Sequence, residues 1–148
     1  FFYVLRKSDQ HLDFDLDLAK SQSNDNPVYY IQYAHARVCS VMEQWGGNPA
    51  ELVNAGLTPL VEEQELQILQ KLLDYPEQIE GAARELAPHL LAFYLKDLAG
   101  GFHSYYNSMR LLVEEDRIKL ARLALAAAIR QVLRNGLEIL GVGAPDRM

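Results

Sequence analysis

NPVYYIQYAHARVCS, residues 26–40, decides how this chain is read. Asn26 followed by Pro27 is start chemistry for a helix: the amide side chain accepts from free backbone N–H groups, and proline suits a first turn whose N–H has no partner anyway. Ile31, Ala34, Val38 and Val41 then recur at helical spacing and make a stripe suited to a core. Tyr30, Tyr33 and Arg37 fall at i, i+3 and i+7, so they share a different face. A helix that only packs would carry leucine at those positions. The spacing predicts a helix from about Pro27 to Trp45, stopped by Gly46-Gly47.

Outward from that helix the remainder also reads as helix. A short one follows an Asn48 cap in NPAELVNA and ends at Gly56. LTPLVEEQELQILQKLLDYP places Leu66, Leu69, Leu73, Ile68 and Leu72 at helical spacing, with acids and glutamines outward. Pro76 is expected to break this helix, and PEQIEGAAREL to restart it. Pro88 opens a longer helix through HLLAFYLKDLAGGFHSYYNSMRLL. Gly100-Gly101 within it costs ~2 kcal/mol relative to alanines, so a kink or a close helix contact is expected there. The last helix runs from about Asp116 to Leu140, with Ile118, Ala121, Leu125, Ala128, Ile129 and Val132 inward, and stops at Gly141 before Pro145. Upstream, HLDFDLDLA alternates Leu12, Phe14, Leu16 and Leu18 with His11, Asp13, Asp15 and Asp17, the period of a half-buried strand. The expected fold is all-α, an antiparallel helical bundle over residues 26–148, preceded by a short strand and turn segment over 1–25.

With 148 residues, one compact domain is expected. The net charge of −6 argues against non-specific coating of nucleic acid, because counterion release needs clustered Lys and Arg. Cys39 is the single cysteine, so no internal disulfide forms, and a reducing, cytoplasmic setting is expected. No apolar run reaches the ~20 residues that span a bilayer, so no membrane partner is expected. FFYVLRKSDQ begins without Met and reads as the middle of something, a piece of a longer protein.

Few motifs carry catalysis. Asp13, Asp15 and Asp17 match the opening of a calcium loop, yet the glycine and bidentate glutamate such a loop needs do not follow, which leaves the solvated side of a strand. His11, His35, His89 and His103 form no H-x-x-x-H pair and have no C-x-x-C beside them, so no zinc site is expected. No phosphate loop, dinucleotide fingerprint or nucleophile elbow occurs, and no catalytic residue is assigned. The tyrosines remain. Two rings and a guanidinium on one face suit unstacked bases and phosphates. HSYYNSMR adds Tyr105, Tyr106, Asn107 and Arg110. From 103 to 135, Arg110, Arg117, Lys119, Arg122, Arg130 and Arg134 against Glu114, Glu115 and Asp116 leave a local net charge of +3. The alternative is that the tyrosines fill the core with hydroxyls outward, in a helical protein-interaction module with an acidic EEQELQ helix and no role with RNA.

LDFDLDLA, NPVYYIQYAHAR, HSYYNSMR and the terminal RLALAAAIRQVLRNGLEILGVGAPDRM, in that order, resemble the C-terminal part of a bacterial arginyl-tRNA synthetase over essentially the whole chain. The resemblance implies a class I ligase joining arginine to tRNA(Arg) with ATP and Mg²⁺, whose catalytic domain is a further part of the same chain. No cofactor belongs to the residues present, and no DNA partner is implied. Residues 26–148 match the DALR-type anticodon-binding domain, and 1–25 the end of the stem-contact junction. Tyr30, Tyr33 and Arg37 are implied to face the anticodon loop, with Tyr106, Asn107 and Met148 around its middle base, a cytosine. Arg110, Arg122, Arg130 and Arg134 are the phosphate candidates. A tail extended beyond Pro145 is expected to reach back to the bundle, while Gln32 and His35 suit structural hydrogen bonds.

Overall fold

The computed structural model describes residues 1–5 and 13–148. Six helices occur among them: α1 (Leu16–Lys20), α2 (Pro27–Trp45), α3 (Ala50–Val53), α4 (Glu63–Arg84), α5 (Pro88–Ser108) and α6 (Asp116–Ile139). The described residues contain no strand. This corrects the strand expected over HLDFDLDLA: Leu16–Lys20 is a single helical turn, begun by Asp15, whose Oδ1 accepts from Leu18 N at 2.9 Å. Alternation alone makes no strand without an edge to pair with, and a local aspartate-to-backbone bond competes for the same amides. His11 and Leu12 lie outside the described residues.

Both ends of α2 follow the sequence. Asn26 accepts from Val28 N and Tyr29 N, and Gly46 closes the helix at φ +64°. The Asn26 amide also donates to the Ala19 and Ser21 carbonyls, fastening the upstream turn to the start of α2. Asn48 Oδ1 caps the α3 turn through Ala50 N at 3.0 Å.

Two expectations fail in α4. Pro76 does not break it; the helix is continuous. An interior proline costs about 3 kcal/mol through a lost hydrogen bond and a ring clash in the preceding turn. Offsetting this, Leu69, Leu72, Tyr75 and Ile79 all pack on the core, and Tyr94 of α5 donates its hydroxyl to the Lys71 carbonyl at 2.7 Å, in the turn the proline disturbs. Nor do the leucines and acids sort as their types suggest. Leu66 and Leu73 are outward, Leu73 being 75% exposed, while Glu65 is 0% exposed. The inward row is Glu65, Ile68, Leu69, Leu72 and Ile79, rotated from the face the leucines alone suggest.

The core joins α2, α4, α5 and α6 through Ile31, Val38, Ile68, Leu95, Phe102, Leu125 and Ile129. Ala128, expected inward, is exposed, and Leu133 and Leu137 extend the buried row of α6 instead. α5 stays helical through Gly100-Gly101, where a side chain on Gly100 would meet the Tyr30 hydroxyl at 3.5 Å and one on Gly101 would meet Ile68 at 3.8 Å. Both distances are ordinary van der Waals contact, so neither helix approach requires glycine there. Among the glycines within helices the tightest approach is at Gly136 of α6, whose absent Cβ would stand 2.5 Å from Leu95. Across the centre, Glu65 accepts from the Tyr105 hydroxyl (2.8 Å) and Arg122 Nε (2.9 Å), tying α4, α5 and α6 together.

Candidate nucleic-acid interface

An open cleft of about 540 Å³ lies where α2, α5 and the last residues of the chain meet. Tyr33, Ala36, Arg37, Ser40 and Glu43 line it from α2, Tyr106 from α5, and Arg147 and Met148 from the tail. Helical spacing delivers the α2 residues, since Tyr33, Arg37 and Ser40 succeed one another by four and three positions.

Arg37 is the centre of the cleft. Its guanidinium carbon sits 4.6 Å from the ring centroid of Tyr33 and 4.6 Å from that of Tyr106, held between two rings. Cation–π contacts of this kind contribute about 0.5–2 kcal/mol each, depending on solvent exposure. The fork also donates to the Tyr33 hydroxyl at 2.9 Å and Asn107 Oδ1 at 3.4 Å, and approaches His103 Nδ1 at 3.3 Å. Tyr29 stacks on Tyr33 at 6.2 Å, so the order outward is Tyr106, Arg37, Tyr33, Tyr29. The rings therefore present no bare stacking platform: one guanidinium occupies the space between them.

Tyr30, Tyr33 and Arg37 do not share one environment. The Tyr30 ring tilts against His103 at 4.6 Å and reaches toward Gly100, between α2 and α5, and it does not line the cleft. Asn107 is exposed beside Arg37, and Met148 is 50% exposed at the cleft wall. Arg110 is exposed at a neighbouring cleft of about 380 Å³, shared with Tyr106 and lined by Val41, Gln44 and Met109. Arg122 is removed from the phosphate candidates: it is buried, paired to Glu65, and donates to the Arg110 carbonyl at 2.9 Å. Arg134 binds Asp146 at 2.9 Å, and Arg130 lines a separate hollow with Trp45 and Leu52, so neither stands at the cleft.

A second face of α2 holds the tail. Gln32 Nε2 donates to the Gly143 carbonyl (2.7 Å), and His35 Nδ1 bonds the Pro145 carbonyl (3.0 Å). Cys39 Sγ donates to Asp146 Oδ1 (3.4 Å), and Glu43 accepts from Arg147 (2.6 Å). These four fall at i, i+3, i+7 and i+11, a signal the sequence carried and the tyrosine face obscured. The carbonyl only accepts, so His35 Nδ1 carries the proton; Nε2 is buried without a partner. Burial lowers the His35 pKa below 6.5, the Arg134 charge lowers it further, and the Pro145 bond opposes both. Burial and then Asp146 raise the Cys39 thiol. Conversely the Cys39 hydrogen bond, and next the Arg134 charge, lower Asp146. His35, Cys39 and Asp146 bring three metal-capable atoms within 4.8 Å of one another. Each already has a protein partner, and Arg134 holds the carboxylate, so the set works as a clasp for the tail.

Two tyrosine rings with a guanidinium between them, beside Met148, bring together the two kinds of planar group on which RNA-binding proteins stack unpaired bases. The profile of the DALR anticodon binding domain matches residues 31–148, and the chain belongs to that family. It is 72% identical over 148 residues to the arginine–tRNA ligase of Nitrosospira multiformis and 68% identical to that of an Azoarcus species, covering all of this chain but 26% and 25% of those proteins. The chain thus spans about a quarter of the length of the curated relatives it matches. The Thermus thermophilus arginyl-tRNA synthetase superposes on 99% of the chain with a TM-score of 0.86 at 31% identity, covering 25% of that structure.

Proposed function

We propose that this chain is the anticodon-recognising part of an arginine–tRNA ligase, an enzyme that joins arginine to tRNA(Arg) with ATP and Mg²⁺ at a catalytic domain elsewhere in the same protein. The observation that carries the reading is the Tyr33–Arg37–Tyr106 column beside Met148. Family membership and relatives named as arginine–tRNA ligases support it. A base entering the cleft stacks on this column, against either a ring displaced from Arg37 or the guanidinium plane itself, and its edge meets the remaining Arg37 N–H groups, Asn107 and the chain's last residue. Arg110 beside the neighbouring cleft and Arg147 at the rim supply the charge for phosphates, Arg147 by releasing Glu43. Tyr30 acts from behind, by setting the α2–α5 spacing.

Residues 26–148 form the recognition domain in this reading, with the helices as an antiparallel bundle; the three-residue connection from α4 to α5 favours that direction. Residues 1–25 are the junction toward the rest of the ligase. The work is placed in the cytoplasm, where protein synthesis occurs, and no described helix is long and apolar enough to cross a membrane.

The test is titration of an arginine anticodon stem-loop, beside one whose middle cytosine is changed, at two salt concentrations. Tyr106→Ala should weaken the cytosine-bearing RNA by about 1–3 kcal/mol, the contribution of one stacked base. Equal affinity for both loops, unmoved by Tyr106→Ala, would sink the reading and return the domain to protein–protein interaction.

A further inference from the structure

We infer that His103 is the positioning residue of this cleft, presenting one fixed acceptor that aims the Arg37 guanidinium between the two tyrosine rings. The inference rests on the RNA reading of the cleft but assigns a role to a residue that does not line it. His103 lies on α5, 7% exposed, against Tyr30, Tyr33 and Phe102. Its Nε2 is 3.2 Å from the Tyr30 carbonyl and its Nδ1 is 3.3 Å from Arg37 Nη1.

Both partners have fixed chemistry. A carbonyl only accepts, so Nε2 carries the proton; a guanidinium only donates, so Nδ1 holds the lone pair. One neutral tautomer satisfies both. Burial and the Arg37 charge hold the imidazole in that neutral form, against the opposing pull of the Tyr30 carbonyl.

Arg37 has three polar acceptors. The Tyr33 hydroxyl is carried by a side chain that itself borders the cleft, and Asn107 is exposed. His103 alone is buried, and its far nitrogen is anchored to helical backbone. It therefore fixes the direction of the fork before any ligand arrives, which reduces the ordering cost of binding.

The two ring nitrogens can be tested separately, because an Asn side chain places its amide near Nδ1 and a Gln side chain reaches Nε2. His103→Asn keeps an acceptor for Arg37 and loses the anchor. His103→Gln keeps the anchor and loses the acceptor. Each variant is titrated with the arginine anticodon stem-loop, alongside wild type and Arg37→Ala, at a temperature where all are folded. The expected result is that His103→Gln loses about tenfold in affinity, as one hydrogen bond to a charged group allows, while His103→Asn stays within about threefold of wild type.

Equal losses in the two variants would overturn the inference in favour of plain packing. So would His103→Gln binding like wild type while Arg37→Ala binds weakly. If the wild-type chain itself fails to distinguish the cytosine, the RNA reading falls, and the ligand-free arm decides the positioning role. In that arm, ¹⁵N NMR of the free wild-type protein should show the Nε2-protonated His103 and slowed exchange of the Arg37 guanidinium, lost in His103→Gln and kept in His103→Asn. A freely exchanging Arg37 in wild type would overturn it.

Discussion

Replacing Glu65 is the severest test of how this domain is held together, because its sequence context, EEQELQ, marks it as a surface acid. It is 0% exposed and accepts from the Tyr105 hydroxyl (2.8 Å), Arg122 Nε (2.9 Å) and the Glu62 amide (3.1 Å). Burial, and then Glu65 itself, raise the Tyr105 pKa, so this hydroxyl stays a donor. Glu65→Ala leaves Arg122 buried with only the Arg110 carbonyl, and leaves the Tyr105 hydroxyl buried with no acceptor. An uncompensated buried charge costs about 3–5 kcal/mol, and the orphaned hydroxyl's ~1–3 kcal/mol overlaps with that cost rather than adding to it. The expected loss is therefore about 3–5 kcal/mol, or on the order of 10 °C in Tm for a domain of this size. Glu65→Gln, which keeps an acceptor but not the charge, should fall between. The double replacement Glu65→Leu, Arg122→Met should recover most of the loss, since a buried pair exchanged for apolar groups is often near neutral. Urea unfolding followed by far-UV circular dichroism measures all four. A Glu65→Ala midpoint within about 1 kcal/mol of wild type would refute the reasoning, as would a double variant no more stable than Glu65→Ala. Because Arg122 also holds the Arg110 carbonyl, Glu65→Ala should loosen the segment beside Tyr106.

Acidification should destabilise the fold in a defined window. His35 and His103 both have folded pKa values lowered from 6.5, mainly by burial. Unfolded chains then bind more protons than folded ones as pH drops below about 6.5, so stability is full above that value and declines down through the folded pKa values. Unfolding free energies measured in steps from pH 8 to about 5 test this; a stability that rises on acidification through that window would contradict it. Two glycines in helices should respond in opposite directions. Gly136→Ala puts a methyl group 2.5 Å from buried Leu95, and overpacking of about 1–3 kcal/mol exceeds the ~1 kcal/mol gain in helix propensity. Gly81→Ala meets nothing within 4 Å and should stabilise by about 0.5–1 kcal/mol. Thermal melts compare them, and a stabilised Gly136→Ala would mean that the α5–α6 contact is looser than described.

Sequence by itself determined both ends of α2, the starts of α3 and α5 and the stop of α6, because caps, first-turn prolines and helix-ending glycines act within a few residues; α5, expected to run on through Leu112, ends at Ser108, where no such local signal stands. It also brought out the aromatic and basic segments, and its resemblance to arginyl-tRNA synthetases agrees with the family the chain belongs to. Local pattern misled where another local bond or a distant partner outweighed it. Alternation over 11–19 suggested a strand, yet Leu16–Lys20 is helical. Pro76 should end a helix, but neighbours on α5 carry α4 through it. Glu65 and Arg122 look like surface charges and are buried against each other, 57 positions apart. The tyrosine face looked like an open platform, whereas tertiary structure placed Arg37 between rings from α2 and α5 and set His103 behind it. Gln32 and His35 found their partners 111 and 110 residues away, at the tail. Whether a polar side chain is solvated, clasped or buried depends on what the rest of the chain brings to it, and helical periodicity specifies only the direction in which it points.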